Sequence, residues 1–330
     1  MTRGDLVESV HEVAACAVDA RGRIVSSYGD VERSIYVRSA AKPFIAGAIV
    51  AGGAAERFAF DDRELATIAA SHGGEPAHVV VVEGVLAKIG CSVADLQCGA
   101  HAPSYDPAAR DLAAAGRPIT AIHNNCSGKH AGILALCVHL GLDHRGYLAP
   151  DHPVQEYILS FCARMIDEKR RTLAIGVDGC GIPVFATPLR RAALAFARLA
   201  TLEGIEERDA RALERVRGAM AAEPWFVAGT GRLDTAIMEV AGGAIVCKAG
   251  AEGVHGSALL GTGIGVVCKV LDGSRRAAGP AVISFLTELG GLGAAQSASL
   301  ETFARREVRN VAGRVVGRIE ALGPTAQAFR

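Results

Sequence analysis

Arg38-Ser39-Ala40-Ala41-Lys42-Pro43-Phe44 sets a serine three residues ahead of a lysine. On a helix those positions share a face. A serine hydroxyl is a poor nucleophile near neutral pH and needs a base. A lysine serves as that base once burial or a neighbouring cation holds it neutral. Pro43, Phe44, Ile45 and Ala46 surround Lys42 with apolar groups. At a helix start, backbone N–H groups and the helix dipole also favour the negative charge that acyl transfer develops. The pair alone is a weak signal, because a helix cap followed by a solvated lysine has the same spelling.

Two further segments strengthen it. Lys248-Ala249-Gly250 closes a C-terminal stretch of strand composition, and Ser71-His72-Gly73-Gly74 follows an apolar helix. An SxxK pair, a middle serine and a late K-T-G form the signature of serine β-lactamases and penicillin-binding proteins. Here K-A-G fills the third slot and Ser71 is placed to pair with Lys248. S-D-N is absent, which argues against a β-lactamase as such.

A third constellation is rich in cysteine. His123-Asn124-Asn125-Cys126-Ser127-Gly128-Lys129-His130 precedes a helix and sets Cys126, Lys129 and His130 on one face. Cys180 lies in Asp178-Gly179-Cys180-Gly181. Two thiolates and a nitrogen would suit zinc with an open coordination position; two buried thiols in Gly-rich turns are the alternative. Ser127-Gly128-Lys129 lacks the rest of a phosphate loop, so nucleotide binding is not expected. Arg232-Leu233-Asp234-Thr235 reads either as a site for a charged substrate group or as a tight turn with a helix cap. His101 reads as a polar turn residue and Trp225 as core.

These residues need a scaffold. Val7–Tyr28 alternates around a turn at Ala20-Arg21-Gly22-Arg23 and reads as a hairpin. Helices are expected over Ser39–Ala51, Asp61–Ala70, Pro76–Ile89, Ser127–Leu140, His152–Met165, Leu189–Leu202 and Glu206–Ala222. Thr172–Val177 and Val184–Ala186 read as strands. So do Ala244–Lys248, Gly253–Leu259 and Ile264–Leu271. A helix at Pro280–Leu289, with the proline in its first turn, and an amphipathic stretch over Val308–Ile319 follow. Strands, many helices, then strands predict an α+β fold over residues 1–330 as a single domain. An antiparallel sheet would come from both chain ends, with a helical lobe inserted between.

Composition narrows the function classes. Acidic and basic residues number 35 each, and no basic block stands out, so nucleic acid is not an expected partner. Glu168-Lys169-Arg170-Arg171 reads as a solvated helix end. No apolar run reaches the ~18 residues of a spanning helix, so no membrane association is expected. The first ten residues carry charge and no apolar core, which argues against a signal peptide. Nine cysteines, an odd number spread through apolar segments, read as reduced thiols in a cytoplasmic protein.

Taken together, the motifs resemble the asparaginase II family, the rhizobial type of L-asparaginase. The matching runs are Arg38–Phe44, Ser71–His78, Cys98-Gly99 with His101-Ala102-Pro103, Asn124–Gly132, Asp178–Pro183, Gly231–Thr235 and Lys248–Gly253. The resemblance implies a serine β-lactamase/glutaminase-like fold and two serine–lysine tandems, Ser39 with Lys42 and Ser71 with Lys248. It implies zinc held by Cys126, Lys129 and Cys180, although spacing alone would favour His130 over Lys129. It sets Arg38, His130 and Asp178 near the substrate, L-asparagine, and implies a homodimer. The expected reaction is attack of Ser39 on the side-chain carboxamide, followed by hydrolysis of the acyl-enzyme to aspartate. A glutaminase or other amidase of the same fold is the nearest alternative. A catalytically inactive homologue that binds zinc or an amino acid is the other.

Overall fold

The computed structural model describes residues 1–322. A five-stranded antiparallel sheet is assembled from both ends of the chain. Its order is Ile24–Tyr28, Val13–Val18, Ile264–Val270, Val254–Leu259 and Ile245–Ala249. The register joins Cys16 to Val267 and Lys248 to Gly256. The expected hairpin is therefore present from Val13 onward, while Leu6–Val7 pairs instead with Thr2–Arg3. The helix Leu189–Thr201 packs along the strands Val13–Val18, Val254–Leu259 and Ile264–Val270. Its alanine-rich face lets it lie close on the sheet.

Between the sheet's two halves of sequence lies a helical lobe. Its centre is the helix Ser127–Leu140, whose residues are buried from Ser127 to Cys137. A helix apolar on all sides must sit inside other helices. It packs against Asp62–Ile68, Pro76–Lys88 and Lys42–Ala51. Gly128 permits the closest approach, since a Cβ there would lie 2.3 Å from the Thr67 carbonyl oxygen. Asp61 starts the Asp62–Ile68 helix with a capping box, accepting from Glu64 N–H while the Glu64 side chain accepts from Asp61 N–H.

A second, three-stranded antiparallel sheet orders Ser34–Tyr36, Pro183–Pro188 and Ala174–Val177. It sets two chain segments side by side: the turn after Tyr36, which carries Arg38 and Ser39, and the hairpin turn 178–182, which carries Asp178 and Cys180.

The structure departs from expectation elsewhere along the chain as well. Ser39 lies in a 3₁₀ turn, Arg38–Ala41, and the α-helix starts only at Lys42. The helix expected from Pro280 begins at Arg275, so Pro280 is inside it and the Arg276 carbonyl forgoes its usual donor. Val308–Ile319 falls in an antiparallel hairpin, Arg305–Arg309 with Val315–Glu320, reversed through Asn310 and Gly313. The β-branched Val308, Val315 and Ile319 favour that extended pairing. Among the described residues no helix is long and apolar enough to cross a membrane.

Candidate active site

Ser39 and Lys42 line one small cavity together with Arg38, Lys129 and Asp178. Lys42 is 1% exposed. Its Nζ donates to the Ala70 carbonyl and, at 3.0 Å, to Ser71 Oγ. Ser71 follows the end of the Asp62–Ile68 helix, and its N–H bonds the Val227 carbonyl. Burial pushes the Lys42 ammonium below lysine's ordinary value; Cys126 opposes this and the Lys129 charge adds to it. Neither Ser39–Lys42 nor Ser71–Lys248 forms a side-chain hydrogen bond among the described residues. Lys42 is the amine bonded to Ser71.

Arg38 has φ +54°, in the left-handed region that non-glycine residues seldom occupy. This backbone turns its guanidinium onto Asp178, with Nε and Nη2 at 2.9 and 2.8 Å from Oδ1. Burial would raise the Asp178 carboxyl, but Lys129, the Gly179 N–H and Arg38 hold it below its ordinary value. The two groups expected to take the ends of an amino acid thus neutralise each other across the cavity.

Lys129 Nζ lies 2.8 Å from Cys180 Sγ, and Cys126 joins them in the same buried cluster. The Cys126 thiol is held well below its ordinary value by the hydrogen bond from Cys180 and by the Lys129 and Lys42 charges, against the effect of burial. One helix turn carries Cys126 and Lys129 and the hairpin turn supplies Cys180. Two sulfurs and one nitrogen converge; the thiolates suit zinc, but against burial Cys126 and Cys180 hold the Lys129 ammonium above its ordinary value, so Lys129 would have to give up a proton to complete the set. His130, the nitrogen that spacing favoured, points elsewhere: its Nδ1 bonds Tyr147 Oη at 2.6 Å. Tyr147 Oη also accepts from Gln97 N–H, and His130 Nε2 is buried without a partner among the described residues. Burial, with Lys129 and Lys42 nearby, keeps that imidazole neutral.

Lys248 is fully buried at the end of the edge strand Ile245–Ala249. Its Nζ donates to the Ala249 carbonyl at 2.7 Å and approaches Asp234 Oδ2 at 3.4 Å. Burial lowers its ammonium to about 8, although Asp234 resists this. The turn beyond it comes against the serine: a Cβ on Gly250 would meet the Val37 carbonyl at 3.1 Å and the Ala40 nitrogen at 3.3 Å. A glycine there lets the two turns touch.

Sequence reasoning did not single out Glu75. This buried carboxylate accepts from Thr230 N–H at 2.8 Å and Thr230 Oγ1 at 2.7 Å, tying the loop after Ser71 to the turn at Gly229–Thr230. Beside it His72, His78 and Trp225 stack at 5.0 and 4.2 Å. Trp225 is accordingly half-buried rather than core, one face given to His78. The Ser71-His72-Gly73-Gly74-Glu75 run was visible, but nothing local marks which distant residue its glutamate will meet.

A second group could bind a metal by spacing: Asp234, Cys247 and His255 bring ligand atoms within 4.8 Å of one another. Its chemistry is that of an ion cluster. Asp234 Oδ2 accepts from Ala249 N–H at 2.9 Å, Oδ1 faces His255 Nε2 at 3.2 Å, and burial keeps the Cys247 thiol protonated.

The fold and this cavity, with Ser39, Lys42 and Asp178 in its lining, define a mixed α/β protein. The family model for L-asparaginase II matches residues 1–321, and the chain belongs to that family. Among curated proteins none matches the chain.

Proposed function

We propose that this protein is an L-asparaginase that hydrolyses the side-chain amide of L-asparagine to aspartate and ammonia through Ser39 and Lys42. The observation that carries the reading is the buried Lys42, bonded to Ser71 and lining one cavity with Ser39, Arg38 and Asp178. Family membership sets the class of substrate as an amide. The β-lactamase/glutaminase-like fold is our reading of the sheet drawn from both chain ends, and the chain is read as one domain.

In the proposed reaction neutral Lys42 takes the Ser39 proton as Oγ attacks the carboxamide carbon. The N–H groups of Ser39 and of the turn after Lys248, at Ala251 or Glu252, would face the oxyanion. The proton then passes from Lys42 through the Ser71 hydroxyl to the leaving nitrogen, and the C–N bond breaks. In the second half Lys42 takes a proton from water as it attacks the acyl-enzyme, and returns it to Ser39 Oγ as the ester breaks. Lys248 is assigned to the same network as a fixed charge beyond Ser71. Arg38 would receive the substrate α-carboxylate and Asp178 its α-ammonium, with His130 at the margin. Cys126, Lys129 and Cys180 would hold zinc, which would supply a fixed positive charge near the substrate. Nine free thiols support a cytoplasmic location; a homodimer is our assignment from the resemblance.

Ammonia release from L-asparagine by purified protein tests the reading. No release under any substrate concentration would favour the inactive-homologue alternative; release from glutamine alone would favour a glutaminase.

A further inference from the structure

Asp234 belongs to none of the groups just assigned, yet it is 2% exposed and carries a charge. It is the second residue of the helix Leu233–Ala241, which packs on the edge strand Ile245–Ala249. A buried carboxylate survives only with partners, and Asp234 has three. Oδ2 accepts from Ala249 N–H at 2.9 Å, closing an otherwise unpaired edge of the sheet, and lies 3.4 Å from Lys248 Nζ. Oδ1 faces His255 Nε2 at 3.2 Å, and His255 Nδ1 lies 3.3 Å from Ser257 Oγ. The side chains of Asp234, Lys248, His255 and Ser257 are all buried. The same carboxylate therefore holds the lysine side chain and the backbone of the residue after it, from which the chain turns at Gly250 onto the Ala40 nitrogen beside Ser39.

Lys248 has no other carboxylate partner among the described residues. The charges that act on it come from Asp234, from Lys42 on the helix Lys42–Ala51 and from Arg232 just ahead of the Asp234 helix. Two of the three repel it. Without Asp234 a fully buried ammonium would face only cations and one carbonyl.

We propose that Asp234 is a positioning residue that fixes the Lys248 ammonium and the turn after it against the Ser39 turn. The role rests on the amidase reading, but the ion pair stands apart from it. His255 orients the carboxylate from the opposite side, so the pair is held as a rigid unit rather than a mobile surface bridge.

The test joins stability with kinetics. Asp234→Asn keeps the shape and strands the Lys248 charge, so Tm should fall by about 5–10 °C. Adding Lys248→Met to Asp234→Asn should restore at least half of that loss, because the stranded charge is gone. Additive losses in the double variant would overturn the pairing, whatever the protein hydrolyses. On asparagine, Asp234→Asn should lower kcat by at least about 10-fold with KM within about two-fold, since the group acts on the reacting end and not on substrate binding. A wild-type kcat in that variant would overturn the positioning role. If wild-type protein hydrolyses no amide, the amidase reading fails and the thermal cycle still decides the ion pair.

Discussion

Lys42 Nζ donates to Ser71 Oγ at 3.0 Å and forms no hydrogen bond to Ser39, the serine three residues ahead of it. The reason is local. Ser39 sits in a 3₁₀ turn and Lys42 opens the α-helix, so the amine reaches across to the end of the Asp62–Ile68 helix, where the Ala70 carbonyl and Ser71 wait. One buried amine thereby bonds Ser71, while Ser39 lines the same cavity without bonding that amine.

Ser39→Ala should abolish amide hydrolysis, by about 10³-fold or more, while Ser71→Ala leaves a slower enzyme. Ser39 is a partly exposed residue at a helix start, so its loss should cost only about 1 kcal/mol of stability. Steady-state ammonia release with Tm as the folding control makes the comparison. Full activity in Ser39→Ala, with Ser71→Ala dead, would move the nucleophile to Ser71.

Activity should rise with pH above neutrality. Burial pushes Lys42 below lysine's ordinary value, and the neutral amine is the working form, so its fraction grows as pH climbs toward that lowered value. His72 and His130 are held neutral by burial and add no rise of their own. A kcat/KM profile over about pH 6 to about pH 9 is the measurement. A steady fall across that range would contradict a lysine base.

Much of this site was legible because its residues recur in short runs whose chemistry is local. Ser39 with Lys42, Cys126 with Lys129, and Gly-flanked Cys180 each declare a reactive type at a spacing that a turn or helix interprets. What spacing could not convey is which distant group each side chain meets. Lys42 was readable as a base but its partner Ser71 lies 29 positions away. Lys248 was readable but Asp234, which neutralises it, was open between a substrate contact and a helix cap. The two-ended sheet was legible from strand composition bounded by Gly and Asp turns, although Val13–Val18 and Val254–Leu259 are buried along almost their whole length rather than alternating. The hairpin at Arg305–Glu320 was less so, because its charged residues mimic an amphipathic helix until Asn310 and Gly313 reverse the chain.

Stability should fall in alkali. Burial pushes the thiols of Cys16 and Cys98 up to about 11 and those of Cys137, Cys162 and Cys268 up to about 12. In the unfolded chain they ionise near ~8.5. The folded state therefore holds more protons above that point, and stability declines as pH rises from about 8.5 toward 11–12. Lys248, lowered to about 8, works the other way, because the unfolded chain then holds its proton longer. Lys42, also lowered by burial, acts in the same sense as Lys248, and the five thiols outweigh the two amines. Guanidinium midpoints at about pH 8 and about pH 10 check the sign, and Cys268→Ala should flatten the decline.

Cys126→Ser and Cys180→Ser should each lose zinc and weaken asparagine binding more than turnover. Lys129 Nζ is 2.8 Å from Cys180 Sγ, and the Cys180 thiol and the Lys129 ammonium are both held above their ordinary values, so metal binding would release protons from these two groups. Elemental analysis of protein purified without chelators reads the occupancy directly. Wild-type protein free of zinc under those conditions would remove the metal from the site.

Asparagine should be preferred over glutamine. Arg38 and Asp178 form an ion pair at 2.8 Å at the cavity wall, and an amino-acid zwitterion matches both ends of that pair. A bound α-carboxylate would take Arg38 and a bound α-ammonium Asp178, each group trading one opposite charge for another. The strained backbone at Arg38, φ +54°, sits immediately before Ser39, so the anchor and the nucleophile are adjacent in one rigid turn. The reach from the α-carbon to Ser39 Oγ is then fixed by the chain, and one added methylene carries the carboxamide past it. A misplacement of about 1 Å costs on the order of 10²-fold in rate, whereas the methylene's transfer energy alone is worth only ~1–3 kcal/mol. kcat/KM for both amides on one enzyme preparation makes the comparison. Equal values, or glutamine ahead, would show that the Arg38–Asp178 pair does not set the reach, and would reassign the substrate while leaving the serine–lysine chemistry standing.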